Sequence, residues 1–308
     1  MNDPKDATET AHEIKLSVII PTKDRPELLD QALRSVFAAL PDEGVEVIVV
    51  DDRSLVSPLG EGGFKDDPRL RVISSDASPG ASGARNYGVG QARGARILFL
   101  DDDDLMLGGY PEWVLNQKAD YGYSSIQLFS GRDTPQPLPL FSGMMAQEIV
   151  ARQTFRRQIA GLGYGFWIDR AVFLKIGGIA EDILINEDTE FSIRLLRSGA
   201  SGLRSSLPGV MVRKHGGKGG ERGHLTHSET AAKRAGYFAM ILLRHADWLA
   251  VRPDAAKFLL KRQLKLLAKA HDWEGAQAVL MSPLAKNHKL SLRLYYATEA
   301  LVVRLRRR

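Results

Sequence analysis

Cysteine is absent from this 308-residue sequence, so disulfide cross-links and cysteine-ligated metal sites are excluded. No apolar run approaches the roughly 18 residues needed to span a bilayer, and residues 1–13 are polar with no signal-peptide core. These absences permit a cytoplasmic location, and we expect residues 1–13 to form a disordered tail. With 44% hydrophobic residues, the chain is long enough for one large α/β domain and an appendage.

Charge is distributed unevenly along the chain, whose formal net charge is +5. Residues 228–308 contain 16 Lys or Arg against 6 Asp or Glu, a net charge of +10, so residues 1–227 carry −5. Apolar residues recur in this basic segment at helical spacing. The predicted helices are 229–250, 254–271, 273–281 and 291–308.

The basic helices have two interpretations that the sequence leaves open. A basic amphipathic face suits an anionic membrane surface, and Leu301–Arg308 fits that role. The same face also suits packing on the rest of the chain or on a second subunit of a homo-oligomer. No nucleic acid is expected as a partner, because the segment lacks an interleaved aromatic platform.

The N-terminal part begins with a strand–helix–strand unit. Residues 14–21 and 45–50 are predicted as buried strands, and residues 26–40 as the helix between them. Such a βαβ unit forms a parallel sheet, which binds ligands beyond the carboxyl ends of its strands. A dinucleotide-binding Rossmann site is not favoured, because Pro21–Arg25 replaces the Gly-rich turn after the first strand.

Carboxylates follow two of the predicted strands. Asp51 and Asp52 end the second strand, and Asp101–Asp104 directly follow the strand at 95–100. Four like charges in a row repel, so we expect a hard divalent cation, Mg²⁺ or Mn²⁺, to neutralise them. The alternative is a solvated acidic loop. A further strand is predicted at 70–73, followed by the glycine-containing stretch 80–88 that opens a helix.

Seven segments occur in a characteristic order along the chain: Ser17–Thr22, Val49–Ser54, Ala84–Asn86, Phe99–Asp104, Phe173–Gly178, Asn186–Phe191 and Arg194–Leu195. Together they resemble the family 2 glycosyltransferases of the GT-A fold over residues 14–227. The departure is Arg53, where the family more often has a small residue. The resemblance implies an α/β fold, a GT-A type Rossmann-like domain with a mixed, mostly parallel sheet flanked by helices, followed by an α-helical C-terminal extension at 228–308.

The resemblance implies transfer of a sugar, with inversion, from a nucleotide-diphosphate donor to a hydroxyl of a glycan or lipid-linked acceptor. UDP is the favoured carrier, and the expected setting is surface polysaccharide or glycoconjugate synthesis by a cytoplasmic or peripheral membrane enzyme. The implied cofactor is Mn²⁺ or Mg²⁺, with Asp103 and Asp101 as its implied ligands. His215 is a further candidate ligand, and we expect Asp104 to cap the next segment. The implied donor-binding residues are Pro21, Thr22, Lys23, Asp24, Asp52, Arg85, Asp101 and Asp102.

The general base implied by the resemblance is Asp188, with Glu187 as the alternative. Acidic residues at a helix N-terminus are also expected simply as caps. Residues 205–227 are rich in glycine and lysine, and we interpret them as a mobile lid over the donor. His215, His224 and His227 match no compact zinc motif.

Two other function classes remain as alternatives. A nucleotidyltransferase with a similar sheet would carry a Gly-rich, Arg-containing loop after its first strand, and Pro21–Lys23 argues against it. A catalytically silent nucleotide-sugar or partner-binding module would keep the fold but not the chemistry. The acidic run and Asp188 argue against silence.

Overall fold

The computed structural model describes residues 13–60, 64–131, 138–141, 146–214 and 229–305. Its strands are β1 (Leu16–Thr22), β2 (Val45–Asp51), β3 (Leu70–Ser74), β4 (Arg96–Phe99), β5 (Leu105–Met106), β6 (Tyr121–Ser130), β7 (Gln147–Ile149), β8 (Trp167–Asp169) and β9 (Gly202–Lys214). Its α-helices are α1 (Pro26–Ala39), α2 (Ala81–Gln91), α3 (Tyr110–Leu115), α4 (Phe155–Gln158), α5 (Arg170–Lys175), α6 (Glu187–Ser198), α7 (Ala231–Arg244), α8 (Ala246–Ala250), α9 (Pro253–Ala270), α10 (Trp273–Met281) and α11 (Lys289–Leu305).

One mixed sheet joins the strands of the described residues, in the order β3-β2-β1-β4-β8-β6-β9-β5, with β7 also paired to β9. The β3-β2-β1-β4 half is entirely parallel, which confirms the predicted βαβ unit. Strands β8, β5 and β7 add antiparallel pairs. All seven residues of β1 are buried, because the parallel half is covered on both faces.

Alternate residues of the strands pack against helices on opposite faces of the sheet. On one face Val18 and Ile20 of β1 lie in a cluster with Leu33 of α1. On the other face Ile19 lies in a cluster with Phe191 of α6 and with residues of α2 and α5. This alternation follows from the two-residue period of a strand, and it gives the predicted helix–sheet–helix layers.

The C-terminal helices pack on the sheet domain. Ile193 of α6 and Phe155 of α4 share one apolar cluster with Phe238 of α7 and Leu259 of α9. Two ion pairs add to this contact, between Arg197 and Asp247 at 2.7 Å and between Arg244 and Asp182. Packing on the rest of the chain therefore covers the inner face of the helical segment. No helix in the described part of the chain is long and apolar enough to cross a membrane.

Several sequence-based expectations differ from the structure. The helix predicted at 229–250 is interrupted at His245, whose backbone leaves the helical region and whose side chain is buried against Glu190. Residues 205–214 of the predicted mobile lid belong to β9, because they pair with β6, β5 and β7. The last helix begins at Lys289, not at 291.

Some sequence predictions lie outside the described residues. They are the disordered tail, except Glu13, the rest of the predicted lid at 215–227, with His215, His224 and His227, and residues 306–308 at the end of the predicted last helix.

Candidate functional site

The carboxyl ends of β1, β2 and β4 meet at one edge of the sheet. Thr22 of β1 pairs with Asp51 of β2, and its hydroxyl donates a hydrogen bond of 2.8 Å to Asp102, beyond the end of β4. The two acidic segments therefore lie side by side at the edge where the βαβ topology places ligands.

Asp52 is a buried carboxylate on this edge, and its exposed fraction is 6%. Its Oδ2 accepts a hydrogen bond of 2.9 Å from the amide of Gly80 and lies 3.9 Å from Lys23 Nζ. Arg53 lies 3.4 Å from its Oδ1 and donates a second hydrogen bond to the Ala77 carbonyl. The predicted donor residues Asp52 and Lys23 are thus brought together.

Asp24 connects two loops of the site. Its Oδ1 accepts a hydrogen bond of 2.6 Å from the Leu55 amide, and its own amide donates to the Ser54 hydroxyl at 2.9 Å. The residue adopts a left-handed backbone, with φ of 53°. Its contacts fix the shape of the loop that carries Lys23.

Three carboxylates of the acidic run form one cluster. One oxygen each from Asp101, Asp103 and Asp104 lies within 4.8 Å of the others. Asp102 points away from this group, toward Thr22 and Arg25. Asp104 was expected to cap the following segment; instead its carboxylate accepts a hydrogen bond of 2.9 Å from the amide of Arg213 on β9. That long-range bond turns Asp104 into the cluster.

Arginines surround the acidic run. Arg85 forms an ion pair with Asp101. Arg25 Nη1 lies 3.2 Å from Asp102 Oδ1 and 3.1 Å from Asp103 Oδ2, and Arg213 Nε donates to the carbonyl of Asp103 at 3.0 Å. The protein thus supplies positive charge of its own at a run that we expected a metal to neutralise.

The electrostatics of the cluster suit a hard divalent cation. Burial raises the pKa of Asp104 well above its ordinary value, and the charges of Asp101 and Asp103 raise it further. Burial also raises the pKa of Asp102 to about 6, although Arg25 opposes the shift. Crowded carboxylate oxygens with no nitrogen or sulfur among them are the donor set that Mg²⁺ and Mn²⁺ prefer. The residues present therefore fit the predicted metal.

A glycine-rich loop between α4 and β8 packs against Asp101. A Cβ atom on Gly163 would overlap the Asp101 carboxylate, so any other residue here would require that carboxylate to shift. The next residue, Tyr164, is 44% exposed, and its pKa is raised by burial and by the charges of Asp104, Asp101 and Asp188. The charges of the cluster and of Asp188 thus both act on Tyr164, a residue that sequence reasoning did not find.

Glu187 and Asp188 occupy the first turn of α6. Asp188 Oδ1 accepts a hydrogen bond of 2.6 Å from the Thr189 amide, so it also satisfies a helix N-terminal donor. Burial raises the pKa of Asp188, and the Thr189 bonds and Arg262 of α9 partly offset the shift. Burial and the neighbouring Asp188 raise the pKa of Glu187 to about 7, against the opposing effect of Arg85.

A buried network holds α6 in place behind these acids. Arg194 donates to both carboxylate oxygens of Glu190, at 2.7 to 3.0 Å, and to the Ile176 carbonyl at 2.6 Å. His245 Nε2 lies 3.1 Å from the same carboxylate. The helix that presents Asp188 is thereby tied to the C-terminal helices.

The sequence of the chain is similar to a known protein family and to known proteins. The model of the family described as glycosyl transferase family 2 matches residues 17–173. The chain is 37% identical over 115 residues to the GalNAc(5)-diNAcBac-PP-undecaprenol beta-1,3-glucosyltransferase of Campylobacter jejuni, covering 36% of this chain and 37% of that protein. It is 29% identical over 133 residues to the poly(ribitol-phosphate) beta-glucosyltransferase of Bacillus spizizenii, covering 41% and 21%. The matched part spans well under two thirds of either relative.

The fold is also similar to a solved structure. The crystal structure of S. aureus TarS 1-349 in complex with UDP-GlcNAc superposes with a TM-score of 0.59, covering 94% of this chain and 90% of that one. The sequence identity is 16%, so the likeness concerns the fold alone.

Proposed function

The chain belongs to glycosyl transferase family 2, and from this premise we propose that it is an inverting, divalent-metal-dependent enzyme that moves a sugar from a UDP-sugar to a hydroxyl group. The observation that carries the proposal is the proximity of two acidic groups to one residue, Tyr164. One group is the cluster of Asp101, Asp103 and Asp104 and the other is Asp188, and charges from both raise the pKa of Tyr164.

The donor end is the sheet edge around Asp52. The buried carboxylate of Asp52 lies beside Lys23, and the Asp52 amide donates a hydrogen bond to the Thr22 carbonyl. The carboxylate can therefore offer a nucleoside both a hydrogen-bond acceptor and a negative charge. Arg85, which is 5% exposed and paired with Asp101, lies beside the cluster where a diphosphate would meet the metal. The fold similarity to a UDP-GlcNAc complex supports UDP as the carrier.

Asp101, Asp103 and Asp104 would hold Mn²⁺ or Mg²⁺, which as a Lewis acid stabilises the charge that develops on the departing diphosphate. The remaining work falls to residues of the chain. Arg85 orients Asp101 through their ion pair, and the Arg213 amide orients Asp104. Because Gly163 has no side chain, its loop packs directly against the Asp101 carboxylate.

Asp188 is the proposed general base. Its carboxylate takes the proton of the acceptor hydroxyl, whose oxygen bonds to the anomeric carbon as the bond from that carbon to the diphosphate oxygen breaks. The single displacement inverts the anomeric configuration. Glu187, whose pKa of about 7 keeps much of it protonated near neutral pH, adds little like charge beside the ionised base.

The proposed acceptor is a glycan or a lipid-linked glycan, in surface polysaccharide or glycoconjugate synthesis. The names of the two relatives support this class, since one acts on an undecaprenol-linked glycan and the other on poly(ribitol phosphate). We assign the transfer reaction to residues 14–227 and treat 228–308 as an extension.

The extension offers a surface for an anionic bilayer. Leu290, Leu294, Leu301 and Leu305 are spaced by four, seven and four residues, so they share one side of α11, and all are 57% to 73% exposed. Exposed Lys286 and Arg293 flank this stripe. Apolar residues with basic flanks complement anionic headgroups, so we propose a peripheral enzyme on the cytoplasmic face of a membrane.

Calorimetry with UDP, GDP and dTDP, each with and without Mn²⁺, tests the donor and metal assignments. We expect UDP to bind only weakly without metal and at least tenfold more tightly with it. Asp103→Asn removes this enhancement, whereas Asp30→Asn, on the exposed side of α1, keeps it. Equal affinities with and without metal in the wild-type protein contradict metal dependence.

Product analysis separates the alternative functions. A glycosyltransferase releases UDP from a UDP-sugar, even when water is the acceptor. A nucleotidyltransferase would instead form pyrophosphate from a nucleoside triphosphate and a sugar phosphate. A silent binding module would bind UDP-sugar and release nothing.

A further inference from the structure

Arg25 has an unusual place in the site. It lies at the start of α1, and its Nη1 atom contacts two carboxylates of the acidic run, Asp102 at 3.2 Å and Asp103 at 3.1 Å. Its side chain is 34% exposed, so one side of it faces solvent. Asp102 has a second partner in Thr22, at 2.8 Å. The family resemblance and the sequence patterns assigned no role to Arg25.

The contact concerns a proposed metal ligand directly. The oxygen of Asp103 that accepts from Arg25 is Oδ2, and a carboxylate oxygen in contact with a guanidinium has one lone pair fewer to give to a metal. A divalent cation placed beside Asp101, Asp103 and Asp104 would also repel the guanidinium.

Resting on the proposed metal site, we propose that Arg25 is an internal counter-cation of Asp103 and that a divalent metal competes with it for this carboxylate. Arg25 forms its ion pairs with Asp102 and Asp103, whereas Asp101 is paired with Arg85 and Asp104 accepts a hydrogen bond from the Arg213 amide. Of the three cluster members, Asp103 is thus the one whose metal contact requires Arg25 to move.

Displaced from Asp103, the guanidinium keeps its anchor on Asp102 and lies at the same sheet edge as Lys23 and Asp52. Anionic phosphate oxygens of a nucleoside diphosphate provide it with a new partner of high affinity. Metal and diphosphate should then favour each other's binding, because the diphosphate relieves the competition. Such coupling is reciprocal in binding free energy.

The test measures Mn²⁺ binding by calorimetry, with and without UDP, in wild-type and variant proteins. Arg25→Gln removes the competing charge, so nucleotide-free protein should bind Mn²⁺ about tenfold more tightly than wild type. Arg25→Lys retains a cation and should stay within about threefold of wild type. Arg34→Gln, on the same helix but paired with Asp30 on the surface, is the matched control and should change nothing.

The coupling gives a second readout. UDP should strengthen Mn²⁺ binding less in Arg25→Gln than in wild type, because the competition it relieves is gone. Unchanged or weaker Mn²⁺ binding in a folded Arg25→Gln protein overturns the proposal. If that variant does not fold, the NMR signal of the Arg25 guanidinium in wild type decides: Mg²⁺ should shift it, and an unshifted signal under saturating Mg²⁺ overturns the proposal.

An incorrect assignment of the metal site would give a different result from an incorrect assignment of Arg25. In that case the wild-type protein binds no Mn²⁺ even with UDP present, whatever residue stands at position 25. Failure of the Arg25 proposal alone leaves wild-type Mn²⁺ binding intact and the Gln variant indistinguishable from it.

Discussion

The buried carboxylate of Glu190 lies 3.1 Å from Nε2 of His245, and this contact joins the helix of the proposed base to the C-terminal helices. Burial would raise the pKa of Glu190, but hydrogen bonds from His245 and Arg194 lower it to about 2. His245 also interrupts the helix predicted at 229–250. The C-terminal extension therefore contributes to the environment of α6.

Replacing His245 should destabilise the fold more than replacing His271, which is less buried. His245→Asn weakens a buried contact to a carboxylate and should lower the free energy of unfolding by about 1–3 kcal/mol. His271→Asn is the control, because His271 ends α9 in a left-handed conformation that asparagine tolerates. Urea unfolding at pH 7 measures both, and equal midpoints for the two variants would contradict a structural role for the contact.

The raised pKa of Glu187 predicts a pH-dependent stability difference. Its folded-state pKa of about 7 exceeds the ordinary value of 4.5, so ionising it destabilises the folded protein as pH rises through this interval. Glu187→Gln should therefore unfold like wild type at pH 4 and be about 1–3 kcal/mol more stable at pH 8. Urea unfolding at the two pH values measures the difference; a constant offset across pH would show that Glu187 titrates normally.

Gly163 should be intolerant of a methyl group. Gly163→Ala would overlap the Asp101 carboxylate and force it away from Asp103 and Asp104. We expect Mn²⁺-dependent UDP affinity to fall about tenfold or more, with little change in UDP affinity measured without metal. Gly90→Ala is the control, since a Cβ there meets no neighbouring atom. Calorimetry of both variants makes the comparison.

Variants at Asp188 and Asp103 should distinguish a residue needed for sugar transfer from a residue needed for donor binding. Asp188→Asn keeps the hydrogen bond to the Thr189 amide but removes the proton acceptor, so donor affinity should stay within about threefold while transfer falls at least about a hundredfold. Asp103→Asn should lose metal-dependent donor binding instead. Transfer at the normal rate by Asp188→Asn would show that another group is the base.

The sheet and its acidic edge could be predicted because local patterns determine them. The apolar runs of β1 and β2, with a helix of 14 residues between them, require parallel pairing, and parallel pairing places Asp52 and Asp101 at one edge. The arginine contacts to the acidic run could not be predicted, because they join residues far apart in sequence. Arg25 meets Asp102 and Asp103 across 77 and 78 positions.

The stretch around Arg213 shows why composition misled the prediction of a lid. Its glycines and lysines have no apolar period, yet residues up to Lys214 pair along β6. Pairing with neighbouring strands stabilises a strand here even though the local sequence has only a weak preference for one. The resulting position of the Arg213 amide is what turns Asp104 into the cluster.

The leucine stripe of α11 should bind anionic bilayers. Leu294→Glu with Leu301→Glu places two charges on the stripe, and we expect partitioning onto vesicles containing phosphatidylglycerol to fall about tenfold or more. Leu243→Glu is the control, since Leu243 on α7 is 81% exposed but lies outside the stripe. Donor hydrolysis should be unchanged in all variants, because the stripe faces away from the apolar cluster that contains Leu292.

Two comparisons make the vesicle experiment decisive. Neutral phosphatidylcholine vesicles should bind the wild-type protein weakly, and added salt should reduce binding to the anionic ones, because Lys286 and Arg293 contribute electrostatic attraction that salt screens. If the double variant sediments with anionic vesicles as well as wild type does, the stripe is not the membrane contact. If wild type fails to bind them at all, the outer face of α11 has no affinity for an anionic bilayer, and the enzyme must meet its acceptor without this attachment.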